Sequence, residues 1–285
     1  MEKIGLVLSG GGAKGAYQVG VMQALEELGL ASSVSSISGA SIGSLNACLF
    51  LQYPITDIIY IWKNLKWDYV LHLNEREYKM LLEIQNQMNM QPTSKLRAAR
   101  EMLGMAKQLG LPLPRQHFVR AIDYFFKFDA IRYASISCYV GCENLNQNRP
   151  HYFKLNQQED EFIVKTLLAS TAIPMVYQPV TIGRSQYRDP MKIENVPLRP
   201  LLNEACDTII IVNLDLNARQ KIPMVRQIKG KKIITIAPSQ TISNTLQGSL
   251  DFSEKAIIKH IELGYQDALT ILKQIQMNED YQTHY

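Results

Sequence analysis

A serine set between two glycines is the first group in this sequence with the surroundings of a nucleophile. Ser41 stands in the middle of Gly39-Ala40-Ser41-Ile42-Gly43, which matches the pattern G-x-S-x-G. In that pattern a sharp turn between a strand and a helix exposes the serine oxygen, and small neighbours let the substrate approach the backbone. The first amides of the following helix favour negative charge at the same spot. The pattern alone equally allows Ser41 to be an ordinary helix N-cap.

The stretches on either side of Ser41 have the periodicity that such a turn requires. Residues 34–38 alternate between apolar and polar side chains as a strand does, and the apolar residues 45–51 are typical of a helix. Residues 4–8 predict an earlier buried strand, followed by a glycine-rich loop and a helix that ends near Leu28. Successive strand–loop–helix units indicate a parallel sheet, which binds ligands at the carboxyl ends of its strands.

The glycine-rich loop after the first strand suggests an anion site. Gly10, Gly12 and Gly15 match the dinucleotide motif G-x-G-x-x-G, but the acidic residue expected about 20 positions further on is absent. A P-loop is excluded because Lys14 precedes Gly15 and no Ser or Thr follows. We therefore expect no nucleotide. Such a loop can also bind an anion through successive backbone N–H groups. If it lies beside Ser41, these groups would face the oxyanion that forms when the serine attacks an ester.

The composition narrows the class of protein. The chain has 285 residues, 46% hydrophobic and 20% charged, with a formal net charge of +4, so it is globular and lacks the strong positive charge typical of nucleic-acid binding. The four cysteines lack metal-ligand spacing and indicate buried free thiols in a reducing compartment. We expect no metal and no cofactor. Without a signal peptide or an apolar run of about 18 residues, the sequence predicts a soluble, cytoplasmic protein.

A helical, irregular segment separates the first two strands from the rest of the chain. We expect it to be a cap inserted over residues 54–130 of a single domain that spans residues 1–285. Between residues 91 and 132 the chain carries eight Lys and Arg residues against three acids, and residues 54–127 contain five of the chain's eleven methionines. That composition suits a lid that touches a lipid surface, and it equally suits an ordinary helical cap with a solvated basic face.

The second half of the chain returns to strand and helix patterns. Apolar, β-branched runs at residues 208–214 and 232–237 are typical of buried parallel strands. Further strands are predicted at residues 134–140 and 151–155, a hairpin around Gly183, and helices at 159–168 and 253–275, with a loose polar tail at 278–285.

A serine nucleophile needs a base, and the histidines offer a poor one. In the order Ser…Asp…His the candidates are His260 and His284. His260 falls inside a helical pattern and His284 lies next to the last residue, in the polar tail. A histidine triad is therefore disfavoured.

Taken together, these motifs resemble the patatin-like phospholipase family. The loop from Gly10 to Gly15, with Lys14 before its last glycine, is similar to the family's oxyanion loop, and the segment 39–43 resembles its nucleophile turn. Residues 169–174, Ala-Ser-Thr-Ala-Ile-Pro, are similar to its A-S-x-A-x-P block. Asp189 and the following Asn195-Val196-Pro197 have the register of its D-G-[GA]-x-x-x-N-x-P block.

The resemblance implies a three-layer α/β/α fold with a mainly parallel central sheet and an inserted helical cap. It implies hydrolysis of fatty acyl esters of phospholipids or related lipids at a membrane surface, through Ser41 as nucleophile and Asp189 as its base. The oxyanion would be held by backbone amides. Glycines and one lysine would support the loop and the turn. The implied oxyanion residues are Gly10, Gly11, Gly12 and Ile42, and the supporting residues are Lys14, Gly15, Gly39 and Gly43.

One departure from the family pattern keeps two alternatives open. The aspartate is followed by Pro190 and Met191 instead of Gly and Gly or Ala, and proline restricts the backbone before it. Arg188, as a neighbouring cation, would lower the pKa of Asp189 and weaken it as a base, and Asp215 is a substitute base. The chain is therefore also compatible with a weakly active or inactive lipid-binding module. An acyltransferase would share every motif.

Overall fold

A computed structural model gives the protein's fold. It describes residues 3–65, 76–77, 79–80, 104, 107–215, 218, 225–240, 249 and 251–283, with side chains up to residue 277. The strands are β1 Ile4–Leu8, β2 Val34–Ala40, β3 Ser137–Asn144, β4 Arg149–Lys154, β5 Val180–Ile182, β6 Ser185–Arg188, β7 Thr208–Val212, β8 Val225–Ile228 and β9 Lys231–Ile236. The helices are α1 Ala16–Glu27, α2 Ile42–Gln52, α3 Ile55–Asn64, α4 Gln116–Phe125, α5 Phe128–Arg132, α6 Asp160–Ser170 and α7 Glu254–Thr283.

The strands form one mixed sheet in the order β5-β6-β3-β2-β1-β7-β9-β8, with β4 also paired to β3. The five central strands run parallel, and the pairings that involve β4, β5, β6 and β8 are antiparallel. Leu8 of β1 is level with Gly39 of β2 and with Val212 of β7. The loops that follow these three strands therefore meet at one edge of the sheet.

The two faces of the sheet are buried in different ways. Leu6, Leu8 and Ile37 belong to a large core that joins the sheet to the helices. Val7 and Ile209 point to the opposite face, into a smaller core with the segment after Asp189. Alternate residues of the same strands thus reach both cores, as expected of strands covered on both sides. The predicted fold class, a mainly parallel sheet flanked by helices, is confirmed.

The long helix α7 packs closely on α1. Side chains at Gly20 or Gly264 would collide with the backbone of the other helix, so glycine at both positions permits the contact. The hydroxyl of Tyr17 donates a hydrogen bond to Asp267 across the same interface, at 3.0 Å. This pairing holds the first helix, and with it the glycine-rich loop that precedes it.

Most predicted elements are present, with shifted bounds. The predicted hairpin corresponds to β5 and β6, which turn at Gly183. The edge strand β8 was not predicted, because its exposed and half-buried residues alternate without a buried apolar run. Of the predicted cap, α3, α4 and α5 are described, while much of residues 66–106 lies outside the described residues. No helix in the described part of the chain is long and apolar enough to span a bilayer.

Candidate active site

Ser41 occupies a strained turn between β2 and α2. Its backbone has φ 51 and ψ −125, a combination that L-residues rarely adopt and that commonly marks functional positions. The turn is tight because a side chain at Gly39 would collide with the backbone at Gly43, and one at Gly43 would collide with Leu8 of the neighbouring strand. The two glycines that sequence reasoning assigned as supporting residues thus allow the turn to lie against β1.

A second serine holds the turn in place. The backbone N–H of Ser41 donates to the Oγ of Ser170 at 2.9 Å, and that hydroxyl in turn donates to the carbonyl of Gly141 at 2.7 Å. Ser170 is the last residue of α6 and is fully buried. The backbone N–H of Ser41 is therefore engaged, and the end of α6 is joined to the turn.

Asp189 lies beside Ser41 in a buried position. Its side chain accepts a hydrogen bond from the N–H of Met191 at 2.9 Å, and its own N–H donates to the carbonyl of Ala172 at 3.1 Å. Burial raises the pKa of Asp189 to about 6, while the Ser41 hydroxyl as a hydrogen-bond donor, the Met191 N–H and the charge of Arg115 oppose that rise. A carboxylate of this kind is ionised at neutral pH and more basic than an exposed one.

The Pro190-Met191 sequence is compatible with this arrangement. Proline provides no N–H, but the hydrogen bond to the carboxylate comes from Met191. Neither residue has a positive φ, so neither needs glycine's conformational freedom. The concern over Arg188 also falls away, because its guanidinium forms a two-pronged ion pair with the buried Glu143, at 2.7 and 2.8 Å.

The glycine-rich loop lies next to Ser41 at the edge of the sheet. The N–H of Gly10 donates to the carbonyl of Asn195 at 3.1 Å, and the Asn195 amide donates back to the carbonyl of Gly10 at 3.0 Å. Gly10 thus anchors the loop. Because its N–H already donates to Asn195, we do not assign it to the oxyanion, in contrast to the expectation from the sequence. Gly12 has φ +59, a conformation that favours glycine.

The loop is braced from below by buried polar side chains. The amide of Gln18 donates to the carbonyl of Ser9 at 2.8 Å and accepts a hydrogen bond from Asn46, also at 2.8 Å. Asn46 in turn accepts from the indole of Trp62 at 2.9 Å and donates to the carbonyl of Gly15 at 3.0 Å. This network joins α1, α2 and α3 beneath the loop and satisfies polar groups that burial would otherwise penalise.

Lys14, in the glycine-rich loop, and Asp215, which follows β7, line the same cavity as Ser41 and Asp189. Burial lowers the pKa of Lys14, and the charge of Asp215 opposes that effect. Asp215 is exposed, in contrast to Asp189. Its exposure to solvent and its interaction with Lys14 make it a less suitable base than Asp189.

Two cavities meet at Ser41. A polar one of about 400 Å³ contains Asp189, the glycine-rich loop, Lys14 and Asn195. A narrow apolar one of about 110 Å³ runs between α2, α3 and α4. Its apolar walls are formed mainly by Leu45, Leu49, Ile61, Trp62, Phe118, Ile122, Phe125 and Phe126. The serine therefore has a polar space on one side and a space suited to a hydrocarbon chain on the other.

The histidine candidates do not enter this site. His260 is buried within α7, the helix that packs on α1, and it lines neither of the two cavities that contain Ser41. His284 lies outside the described residues.

Three residues in the site were not predicted to be functional. Ser170 and Asn195 belong to sequence blocks that carried the family resemblance, so those blocks were the available signal. Arg115 was counted only as one of the cap's basic residues, and no local pattern distinguishes it. Its contacts depend on segments far along the chain.

Comparison with known proteins agrees with this fold. The family model described as Patatin-like phospholipase matches residues 6–202, and the chain belongs to this family. It is 49% identical over 51 residues to the lysophospholipase nte1 of Aspergillus terreus, a match that covers 18% of this chain and 3% of that protein. It is 45% identical over 64 residues to a patatin-like phospholipase domain-containing protein of Caenorhabditis elegans, covering 22% and 4% of the two chains.

Solved structures show the same fold at low sequence identity. VipD from Legionella pneumophila matches with a TM-score of 0.53 at 16% identity, covering 96% of this chain and 67% of that one. Human GIVD cytosolic phospholipase A2 matches with a TM-score of 0.53 at 10% identity, covering 96% and 59%. The curated relatives align only over small parts of their length, so activity and substrate are matters for proposal.

Proposed function

We propose that this protein hydrolyses fatty acyl esters of phospholipids or lysophospholipids, with Ser41 as nucleophile and Asp189 as base. The observation that carries the proposal is the position of the strained Ser41 beside a buried carboxylate, at the junction of a polar and an apolar cavity. Membership of the patatin-like phospholipase family supports a lipid acyl hydrolase.

The reaction proceeds in two halves. Ser41 Oγ attacks the ester carbonyl carbon as its proton passes to Asp189, and the carbonyl oxygen becomes an oxyanion. Collapse of this intermediate breaks the bond to the alcohol, which takes the proton from Asp189 and leaves the acyl group on Ser41. Water then attacks the acyl-enzyme, again giving a proton to Asp189. Release of the fatty acid, with the proton returned to Ser41, restores the pair.

Backbone amides stabilise the oxyanion in this scheme. We assign this role to the N–H groups of Gly11, Gly12 and Ile42, the last being the first residue of α2. Its helix dipole adds positive potential at the same point. Gly10 and Asn195 position the loop through their mutual hydrogen bonds.

The apolar cavity suits the acyl chain. It begins at Ser41 and passes Leu45 and Leu49, which follow one and two turns later on α2. The polar cavity then receives the alcohol portion of the lipid, where Lys14 supplies a positive charge. This division of apolar and polar surface matches the two ends of a phospholipid.

We further propose that the cap helices meet a membrane surface, within a single catalytic domain. Tyr60 on α3 and Tyr124 on α4 are 70% and 81% exposed, and both helices also line the apolar cavity. Tyrosine is favoured where one end of the ring is apolar and the other is wet. The four buried cysteines, none of them in a disulfide, support a cytoplasmic location.

The membrane proposal can be measured with liposomes. The double substitution Tyr60→Ala and Tyr124→Ala is expected to reduce sedimentation with phosphatidylcholine vesicles, while Tyr133→Ala, another exposed tyrosine, serves as the matched control. Equal binding by all three proteins would count against contact through these helices.

The catalytic proposal is tested with phosphatidylcholine, lysophosphatidylcholine and a short-chain ester. Ser41→Ala and Asp189→Asn are expected to lower turnover by about 10³-fold or more. Asp215→Asn distinguishes the alternative base, because it should lose far less, and the exposed Asp123→Asn is the control. Labelling by a fluorophosphonate should require Ser41.

Each other outcome identifies a different function. A folded wild-type protein that neither turns over nor labels would indicate a non-catalytic lipid-binding module. Acyl transfer to an added alcohol or thiol in preference to water would indicate an acyltransferase.

A further inference from the structure

Arg115 connects the cap to the end of helix α6. It is the N-cap residue of α4, and its guanidinium donates hydrogen bonds to the carbonyl of Leu168 and to the Oγ1 of Thr171, the latter at 2.6 Å. The last carbonyls of a helix carry partial negative charge, which favours a cation at this position. The fork of the guanidinium fits two acceptors at once.

The segment that Arg115 binds also contacts both members of the proposed catalytic pair. Ser170, between the two acceptors, receives the N–H of Ser41 at 2.9 Å. Ala172, one residue beyond Thr171, receives the N–H of Asp189 at 3.1 Å. Residues 168–172 therefore set the position of Ser41 relative to Asp189, and Arg115 holds this segment from the cap side.

The guanidinium is itself held by its surroundings. It lies 4.4 Å from the ring centroid of Tyr177 and 4.9 Å from that of Phe118. A second link runs alongside, since the N–H of Leu113 donates to the carbonyl of Val176 at 2.8 Å. Arg115 also lines the apolar cavity next to Ser41. The charge of Arg115 at this mainly apolar wall is therefore stabilised by its hydrogen bonds and its ring contacts.

We propose that Arg115 is a positioning residue for the reaction, fixing the register of Ser41 and Asp189 through residues 168–172 and keeping a positive charge near the carboxylate. This inference rests on the proposed function in assuming that the two residues react together. The two parts of the role are separable, because lysine keeps the charge but cannot form the fork.

The charge of Arg115 acts on Asp189 among several other groups. The Ser41 hydroxyl and the Met191 N–H also favour the ionised carboxylate, and Glu143 opposes it. Glu143 is paired with Arg188, while Lys14, Asp215 and Asp189 line the same polar cavity.

Arg115 and Asp189 are both charged at neutral pH. Burial lowers the pKa of Arg115 to about 10, and Tyr177 and Asp189 oppose that effect. The guanidinium is therefore positive at neutral pH. Removing it takes away a group that favours ionised Asp189, so the pKa of Asp189 should rise.

The test compares Arg115→Met, Arg115→Lys and, as control, Arg120→Met on the exposed side of the same helix. For Arg115→Met we expect kcat to fall by about 10- to 100-fold, with KM changed only a few-fold. The acid limb of its pH–rate profile should move to higher pH. Arg115→Lys should keep the wild-type acid limb while kcat still falls. The control should match wild type in both.

A readout that needs no turnover keeps this inference separate from the proposed function. The pKa of Asp189 can be followed by carboxyl ¹³C NMR, with Asp189→Asn identifying the signal. An unchanged Asp189 titration together with unchanged kcat in folded Arg115→Met would overturn the inference. A wild-type protein without turnover or labelling would overturn the proposed function, and the titration would still test the effect of Arg115 on Asp189.

If Arg115→Met fails to fold, a second variant tests the positioning role of Arg115. Thr171→Val keeps the shape of the side chain but removes the Oγ1 that accepts from Arg115. It should lower kcat by about 10-fold. Wild-type kcat in both Thr171→Val and Arg115→Lys would overturn the positioning role.

Discussion

The backbone nitrogen of Ser41 lies 2.9 Å from the Oγ of Ser170, a residue 129 positions further along the chain. The same hydroxyl donates to the carbonyl of Gly141 on the strand next to β2. A single buried side chain therefore joins the turn at Ser41, the sheet and the end of α6. Without it, the partly buried N–H of Ser41 would lose its partner in the strained turn.

Ser170→Ala should therefore reduce activity and stability together. A fully buried unpaired donor costs about 1–3 kcal/mol, so the partly buried N–H of Ser41 should cost about 1 kcal/mol, and a small displacement of Ser41 costs up to about 100-fold in rate. Ser36→Ala is a matched control, because Ser36 is a fully buried serine of β2 whose hydroxyl has no hydrogen-bond partner among the described residues. The measurements are denaturant unfolding and ester hydrolysis. Equal effects of the two substitutions would contradict this role for Ser170.

The pH dependence of hydrolysis should follow Asp189. The carboxylate must be ionised to accept the proton from Ser41, and burial raises its pKa to about 6. With a neutral ester substrate, kcat/KM should therefore increase with pH through about 6 and level off above it. An acid limb near the ordinary carboxyl value of about 4 would show that an exposed acid serves as base.

The same raised pKa means that ionised Asp189 lowers the free energy of unfolding at neutral pH. The folded state binds the proton of Asp189 more tightly than the unfolded chain does, so the protonated carboxyl stabilises the fold. This contribution to the free energy of unfolding is complete below about pH 4 and is lost as pH rises through about 6. The difference between the two pKa values amounts to about 3 kcal/mol. Asp189→Asn should thus be inactive yet gain stability relative to wild type between pH 4 and pH 7.5.

Thermal unfolding at these two pH values measures the effect. Asp123→Asn, at an exposed position, controls for loss of a carboxylate in solvent. A stability difference between Asp189→Asn and wild type that is the same at both pH values would contradict the raised pKa.

Replacing Pro190 by glycine, the residue typical of the family at this position, should not improve activity. The Met191 N–H already bonds to Asp189, and the carbonyl of Pro190 accepts from Ile193 and Glu194 at 3.0 and 2.9 Å. We expect kcat/KM to stay within about threefold of wild type and the free energy of unfolding to drop by about 0.4–1 kcal/mol, because glycine increases the freedom of the unfolded chain. Pro190→Ala separates loss of the ring from the introduction of glycine. A tenfold gain in activity would show that proline impairs the site.

The apolar cavity should set the length of the acyl chain. Leu49 lies two turns beyond Ser41 on α2, a distance of about 12 Å along the helix axis. Leu49→Trp should lower kcat/KM for long-chain esters by about 10-fold while leaving a butyryl ester nearly unchanged, at a stability cost of about 1–3 kcal/mol. Leu49→Met, which conserves volume, is the control. A uniform loss on both substrates would argue against this path for the chain.

The central features of the fold follow from patterns that are local in sequence. Buried β-branched runs predict β7 and β9, and the small residues around Ser41 predict a sharp strand–helix turn, because side-chain periodicity and glycine geometry act over only a few residues. The proposed roles of Ser41 and Asp189 could also be inferred from the sequence, since each lies in a block typical of the family. The edge strand β8 could not, because it lacks a buried apolar face.

Tertiary structure decided how these local elements act on one another. Only the folded chain brings Arg115, Ser170 and Asp189 together around Ser41, and only there does burial change the pKa of the Asp189 carboxylate. Likewise, the concern that Arg188 would weaken the base disappears once its pairing with Glu143 is known. Desolvation and charge pairing depend on atoms that are distant in sequence, so local patterns contain the candidate residues while packing determines their environment.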